Sequence, residues 1–294
     1  MNKAKILIII IIFIIYATII HNIMLCYHGY EYMENIDNII IQVPLTIKNK
    51  CICIISRKPS KILLDFYNDF KDYDVYVMID DNKEIYHNYY KKKYNNIHFI
   101  QINEDKCIQN GFVNVTHISK KGVPISWDKA LFYFSDINKN YDNIWFIEDD
   151  VYFYNEDTII NIDNKYPDSD ILSSKYDENP TGRKDYWHWY QALDKIKIGP
   201  PYYNAMVCAV RMSKKLLSII NNYAKTNKTL FFLEVMYPTF AKQNNLKYDN
   251  PEELYTIVYR RNWTKEDINK TNLYHPIKDY DIQYLYRQIP RLST

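Results

Sequence analysis

No basic stripe runs along this chain of 294 residues, and its densest cationic run, KKKY at Lys91–Tyr94, is short enough to be a solvated helix face. With 37 Lys and Arg against 35 Asp and Glu, the net charge is +2 and the pI about 8.0, a balance that excludes a nucleic-acid partner. Cysteine is sparse, at five residues with no CxxC and no zinc spacing, which argues against a zinc-finger-type module. Glycine is scarcer still for this length, again five, and no internal repeat is present, which excludes a repeat array. What is abundant is tyrosine, at 30 residues, alongside Ile, Asn and Lys. A bias of this kind follows from an AT-rich genome, so tyrosine abundance alone says nothing of function. A hydrophobic content of 47% supplies a core and excludes a disordered chain.

The N-terminus reads as a membrane signal. MNKAK carries two lysines, Ile6 to Ile20 is unbroken apolar or neutral sequence, and the run resumes from Ile23 to Tyr27. A span needs roughly 20 mostly apolar residues. Lysines on its N-terminal flank keep that end cytosolic and place the rest in the lumen or outside. A cleaved signal peptide is the competing reading, but no small-x-small cleavage site clearly follows. The expected layout is a cytosolic tail and signal-anchor helix over 1–27, a stem over 28–49 and a domain over 50–294, in a single-pass type II membrane protein. Four Asn-x-Ser/Thr sequons, at Asn114, Asn227, Asn262 and Asn269, are glycan acceptors if exposed there. With Cys26 in the anchor, Cys51, Cys53, Cys107 and Cys208 allow at most two disulfides.

From Lys50 the pattern becomes regular. KCICIIS (Lys50–Ser56) suits a buried strand, and Ser60 suits the cap of a helix presenting Ile62, Leu63, Phe66, Tyr67 and Phe70 on one face. DVYVMIDD is a second strand ending in Asp80 and Asp81, EIYHNYYKKKY a helix, and NIHFIQI a third strand. SWDKALFYFSDI predicts a helix capped by Ser126, leading into the strand NIWFI. This alternation indicates an α/β fold with a mostly parallel sheet flanked by helices, whose ligands bind at the carboxyl ends of strands. Beyond it come the aromatic YWHWYQAL, a turn-to-strand GPPYYNAMVCAVRM, a capped helix SKKLLSIINNY and the apolar LFFLEVMYPTFAKQNNL, with Glu234 as its one acid. YTIVYR reads as a late strand and LYHPIKD as a loop.

The stretch NIWFIEDDVYF sets three carboxylates, Glu148, Asp149 and Asp150, at the end of a buried strand. Desolvating each costs several kcal/mol unless it is paired. Such a cluster suits a hard divalent cation, Mn²⁺ or Mg²⁺. On an extended strand Glu148 and Asp150 point to one side and Asp149 to the other. Taken alone, the motif is also what an acidic strand end exposed to water looks like.

With the strand order, the N-terminal anchor and the position of the acids about a hundred residues into the domain, the sequence resembles the GT-A class of nucleotide-sugar-dependent glycosyltransferases, with their Rossmann-like sheet. WFIEDDVYF, MVCAVRMS, FFLEVMYPT and LYHPIKD are also similar to glycosyltransferase-like proteins of algae and large DNA viruses. The resemblance implies a nucleotide-sugar-binding half over about 50–157 and an acceptor half over 158–294. It implies Asp150 as the most direct metal ligand, Glu148 as an indirect one, Asp149 near the ribose or sugar, and Asp80 or Asp81 at the base. Arg57 reaches a phosphate in this reading, or is a surface ion, as Asp80 is in its bland reading. His275 completes the metal sphere, or is a loop histidine stacked on tyrosine, and Lys278 neutralises a diphosphate. Asp128, at the start of the helix before the acids, touches the donor sugar.

Glu234, a lone acid among apolar residues, suits a general base with a raised pKa, or pairs with a buried Arg or caps a helix at Pro238. Asp185 is a second candidate base. Trp187, His188 and Trp189 line an acceptor cleft, or pack in the core. The implied reaction transfers a sugar, from a UDP sugar in particular, to a glycan or protein hydroxyl in the Golgi or endoplasmic reticulum lumen. A membrane-anchored glycan-binding protein of the same fold, and a metal-dependent phosphoesterase or nucleotidyltransferase, are the alternatives. The latter normally needs further His and Asp ligands, and the seven histidines here are scattered.

Overall fold

Apolar runs in KCICIIS, DVYVMI, IHFI and NIWFIE form β1 (Lys50–Ser56), β2 (Asp74–Ile79), β3 (Ile97–Ile100) and β4 (Asn143–Glu148). All four are buried nearly throughout, as strands covered on both faces must be. The computed structural model describes residues 50–81, 85–90, 92–116, 122–184 and 195–288, all within the unit Gln42–Thr294. The expected anchor and stem lie outside the described residues, as do Asp185, Trp187, His188 and Trp189. Among the described residues no helix is long and apolar enough to cross a membrane.

The main sheet has seven strands in the order β3-β2-β1-β4-β8-β5-β9, with β5 at Ile171–Leu172, β8 at Ala209–Ser213 and β9 at Tyr248–Asp249. β1 pairs in parallel with β2 and β4, and β2 with β3, while β8 runs antiparallel to β4 and β5. The result is a Rossmann-like, mostly parallel α/β sheet. The chain leaves β1 in one direction and returns on its other side as β4, so the strand order reverses between them. That switch point is where such sheets open a crevice at their carboxyl ends. A separate two-stranded sheet joins β6 (Tyr176–Asn179) to β7 (Tyr202–Ala205).

Side-chain alternation decides what covers each face. Ile52, Ile54, Val75, Val77, Trp145 and Ile147 share one core cluster with Leu63, Leu64 and Tyr67 of α1 (Lys61–Asn68). The short helices α2 (Tyr86–Tyr90) and α3 (Glu104–Gln109) flank β3 in sequence. On the opposite face Phe146 meets Trp127 of α4 (Ser126–Phe132) and Phe134 of the π-helical turn Tyr133–Ile137. Ile159 and Ile162 of α5 (Glu156–Lys165) join the first cluster. Ser60 caps α1 as expected, and Ser213 caps α6 (Lys214–Asn227).

Several sequence expectations change. Ser126 is not the cap of α4; Ile125 precedes the helix, and the Asp128 carboxylate accepts the Ile125 amide at 3.0 Å. GPPYYNAMVCAVRM gives two strands in different sheets, broken at Met206–Cys208, because β7 pairs with β6 and β8 with β4. YTIVYR forms no strand: it follows a 3-10 turn at Glu252–Leu254, and the Ile257 amide closes back on Leu254, leaving a single bridge from Ile257 to His275. LFFLEVMYPTFAKQNNL yields α7 (Leu233–Gln243) with Pro238 inside it, so Pro238 is not the helix start that Glu234 was expected to cap. The four described cysteines are buried free thiols, with no disulfide among them.

Lys129 is the most unusual charge of the core. Its side chain is fully buried, and its ammonium donates to Asp80 at 2.7 Å, with Glu104 at 3.4 Å. An unpartnered buried charge costs far more than a paired one. Asp80→Ala is expected to lower stability by about 3 kcal/mol, softened by Glu104, and Lys129→Met in the same background to restore most of it. Urea unfolding of the three proteins measures this, and a double variant no more stable than Asp80→Ala alone would contradict it.

Candidate metal and substrate site

β4 ends at Glu148, and the next two residues turn out of the strand. A paired bridge fixes where they go: the Tyr152 amide donates to the Tyr274 carbonyl at 2.9 Å, and the Tyr274 amide returns to Tyr152 at 2.8 Å. One step along, the Ile277 amide donates to the Asp150 carbonyl at 2.7 Å. This bridge sets His275 beside the acids, its Nε2 3.4 Å from Asp150 Oδ1 and 3.7 Å from Glu148 Oε2. Its Nδ1 lies 2.7 Å from the Val258 carbonyl, which can only accept, so Nδ1 carries a proton and Nε2 is the nitrogen left facing the carboxylates.

Glu148 is held from a second side by Trp127, whose indole N–H donates to Oε1 at 2.7 Å. The antiparallel register of β4 and β8 matches Ile147 with Ala209, so one step further Glu148 lies opposite Cys208. Donor atoms of Glu148, Cys208 and His275 fall within 4.8 Å of one another. Asp149 points the other way, as strand alternation requires, and accepts from the Ser56 hydroxyl at 2.5 Å and from Tyr280.

These residues fit a divalent cation. Asp150 Oδ1 is buried without a hydrogen-bond partner, an arrangement that costs free energy unless something else satisfies it. Two ligand atoms each about 2.1 Å from one ion stand roughly 3.0–3.5 Å apart, close to the separation of His275 Nε2 and Asp150 Oδ1.

A cleft of about 910 Å³ opens over this cluster. It takes in Glu148, Asp150, Cys208 and His275, the apolar Met206, Phe232 and Leu233, and Glu234. Thr116, Ile125, Trp127 and Ile282 also line it, and two late loops add three cations, Arg260, Arg261 and Lys278, beside Tyr259 and Trp263. Arg261 lies 4.1 Å over the Trp263 ring and pairs with Asp267 at 3.1 Å, while Arg260 lies over Tyr259. Sequence reasoning passed over Arg260, Arg261, Trp263 and Cys208. The signal for the first three is the string RRNW, which begins at the last residue of YTIVYR.

Glu234 occupies the first turn of α7, only 9% exposed, and its carboxyl is pushed up to about 7 by burial and then by the charge of Glu148. Burial, and then Asp150, raises Glu148, and burial raises Asp149. The Cys208 thiol is pushed up by burial and by Glu148. Asp128 departs from expectation: it is fully buried and accepts the amides of Ile125 and Val115, so it organises the start of α4 and does not face a sugar. Arg57 is exposed just beyond β1, and Asp81 accepts from the Tyr86 hydroxyl at 2.9 Å. Neither these two nor Asp80 lines the cleft. Of the expected site residues, the fold brings Glu148, Asp150, Glu234, His275 and Lys278 together.

No protein-family model matches the chain, and no curated protein matches its sequence. Solved structures that are similar include the following three. The 4-diphosphocytidyl-2C-methyl-D-erythritol synthase of Anaerococcus prevotii is 11% identical, over 81% of this chain and 93% of that one, with a TM-score of 0.42. Mouse xyloside xylosyltransferase 1, in its apo form, is 11% identical over 78% and 97%, with a TM-score of 0.38. An active-site mutant of LgtC is 12% identical over 82% and 98%, with a TM-score of 0.44. Likenesses this distant carry nothing about chemistry, which rests on the geometry above.

Asp128 and Glu234 ordinarily titrate at 3.8 and 4.5, and both are pushed up to about 7 by burial. Between those limits the folded chain holds more protons than the unfolded one, so their stabilising contribution is complete below about pH 4 and lost as pH rises through 7. With divalent cations chelated, the melting temperature is expected to be lower at about pH 8 than at about pH 5.5, with the gap narrowed in the Asp128→Asn, Glu234→Gln double variant. A gap of the opposite sign would contradict these assignments.

Proposed function

We infer that this chain is a metal-dependent glycosyltransferase of the GT-A type, moving a sugar from a nucleotide sugar, a UDP sugar in particular, to a glycan or protein hydroxyl. The observation that carries this reading is the meeting of Glu148, Asp150 and His275 in one cleft that also holds Arg260, Arg261 and Lys278. Acids and cations lining one cavity match a ligand that is itself anionic and arrives with a cation, as a nucleoside diphosphate does. Glu148, Asp150 and His275 would hold Mn²⁺ or Mg²⁺, which supplies Lewis-acid charge to a departing diphosphate.

The chain's own groups do the rest. Lys278 and Arg260, both exposed on the cleft, attract the diphosphate and offset the charge that grows on it. Trp127 holds one oxygen of Glu148 and so fixes the direction of the other. Glu234 accepts the acceptor hydroxyl's proton; a carboxyl near 7 is largely neutral below neutrality and ionised above it. Met206, Phe232 and Leu233 give the cleft an apolar side against which a sugar ring packs. The donor half and the acceptor half both contribute, since His275 and Lys278 come from the latter. We place the domain in the Golgi or endoplasmic reticulum lumen, tethered by the apolar N-terminus, on the strength of that sequence signal.

The test is a screen of nucleotide-sugar donors for nucleotide release with Mn²⁺. One donor is expected to turn over, to stop with chelator and to stop in Asp150→Ala. Turnover should rise with pH through about 7, and Glu234→Gln should lose both that limb and a factor of about 10²–10⁴ in rate. Release untouched by chelator, or by Asp150→Ala, would sink the reading.

A further inference from the structure

The inference concerns Cys208 and rests on the metal reading above. Cys208 lies just before β8, opposite Glu148, and its thiol, a carboxylate oxygen of Glu148 and a ring nitrogen of His275 lie within 4.8 Å of one another. Asp150 Oδ1, buried and without a hydrogen-bond partner, stands 3.4 Å from the same imidazole. One carboxylate, one imidazole and one thiol therefore lie within reach of a single ion, with the Asp150 carboxylate beside the imidazole. A cation that needs only hard oxygen ligands has no use for sulfur, since Mg²⁺ and Mn²⁺ prefer carboxylate, carbonyl and water. A sulfur donor with imidazole and carboxylate is the set that Zn²⁺ takes in tetrahedral sites.

We propose that Cys208 is a fourth donor of this centre, and that a thiophilic divalent cation of the Zn²⁺ class is held there by Cys208, His275, Glu148 and Asp150. On binding, the thiol proton passes to solvent and the sulfur ligates as thiolate. With four protein donors the tetrahedral shell is full, and no position remains for a phosphate oxygen. A hard cation instead uses the carboxylates and His275, leaves the thiol protonated and keeps open positions for substrate. The centre thus has two modes, and a Zn²⁺-class ion shuts the one that Mn²⁺ opens.

Cobalt(II) is the probe, because thiolate ligation gives it a charge-transfer band in the near ultraviolet and four-coordination an intense visible spectrum. Titration of the full chain should raise the near-ultraviolet band to a plateau at one equivalent, and one equivalent of Zn²⁺ should abolish it. In Cys208→Ser the band should vanish and Co²⁺, followed in the visible, should bind at least about 100-fold more weakly. Mn²⁺ affinity of the same variant, read from the free-ion paramagnetic resonance signal, should stay within about threefold. The wild-type band decides thiol ligation whether or not that variant folds, and Cys208→Ala repeats the assignment. Cobalt bound without the band, or a band that survives both substitutions, overturns the role of Cys208 and leaves the metal reading standing. Failure of both Co²⁺ and Mn²⁺ to bind overturns the two together.

Discussion

Two backbone hydrogen bonds between Tyr152 and Tyr274 are the constraint on which the site depends. Each contributes only about 1 kcal/mol of net stability, so their importance is positional. They join a strand end in the first half of the domain to a loop more than a hundred residues later, and so lay His275 alongside Glu148 and Asp150. The C-terminal helix α8 (Tyr280–Arg287) then locks the arrangement from behind. Its Gln283 is fully buried and donates to the carbonyls of Asp149 and Ile277, one on each side of the bridge. Arg287 donates to the Phe153 carbonyl and to Gln283, and its guanidinium stacks 3.6 Å over Phe66 of α1. The acidic turn is held by packing in front of and behind it.

Around that bridge the charges are arranged in two sets with different purposes. Asp80, Glu104 and Lys129 neutralise one another within the fold, as do Arg211 and Asp163, 2.8 Å apart. Such pairs hold shape. Glu148 and Asp150 have no Lys or Arg within ion-pair distance among the described residues, and a third acid, Glu234, lines the same cleft. The cations that share their cleft, Arg260, Arg261 and Lys278, sit on exposed loops, where an incoming anion reaches them. A cleft that keeps its opposite charges apart leaves room for a ligand carrying both signs.

How much of this the sequence disclosed follows the range of the interactions. Local signals worked: apolar runs located β1 to β4, Ser60 and Ser213 marked their caps, and strand alternation separated Asp149 from Glu148 and Asp150. Glu234, the lone acid in an apolar run, is buried, and burial pushes its carboxyl up, in line with the first of the readings its sequence allows. Signals failed where a distant partner decides the outcome. YTIVYR has the composition of a strand, but its backbone is claimed by a 3-10 turn and by His275. Asp128 looked free at a helix start, yet Val115 and Ile125 take both its oxygens. Cys208 carried no spacing to other ligands, because only the β4–β8 register brings it to Glu148. Arg260 reads from the sequence as the end of a strand, and nothing local marks Arg261 as facing a cleft.

Residues from both halves of the domain build one cation site. Calorimetric titration of Mn²⁺ into the wild-type chain and into His275→Ala tests it most directly, with no donor or acceptor needed. One ion should bind to the wild type, and affinity should be at least about 10-fold weaker in the variant, because the imidazole it has lost supplies a ligand and not merely packing. Equal affinity in the two proteins would contradict it, since the acids would then hold the ion without the partner that the Tyr152–Tyr274 bridge delivers.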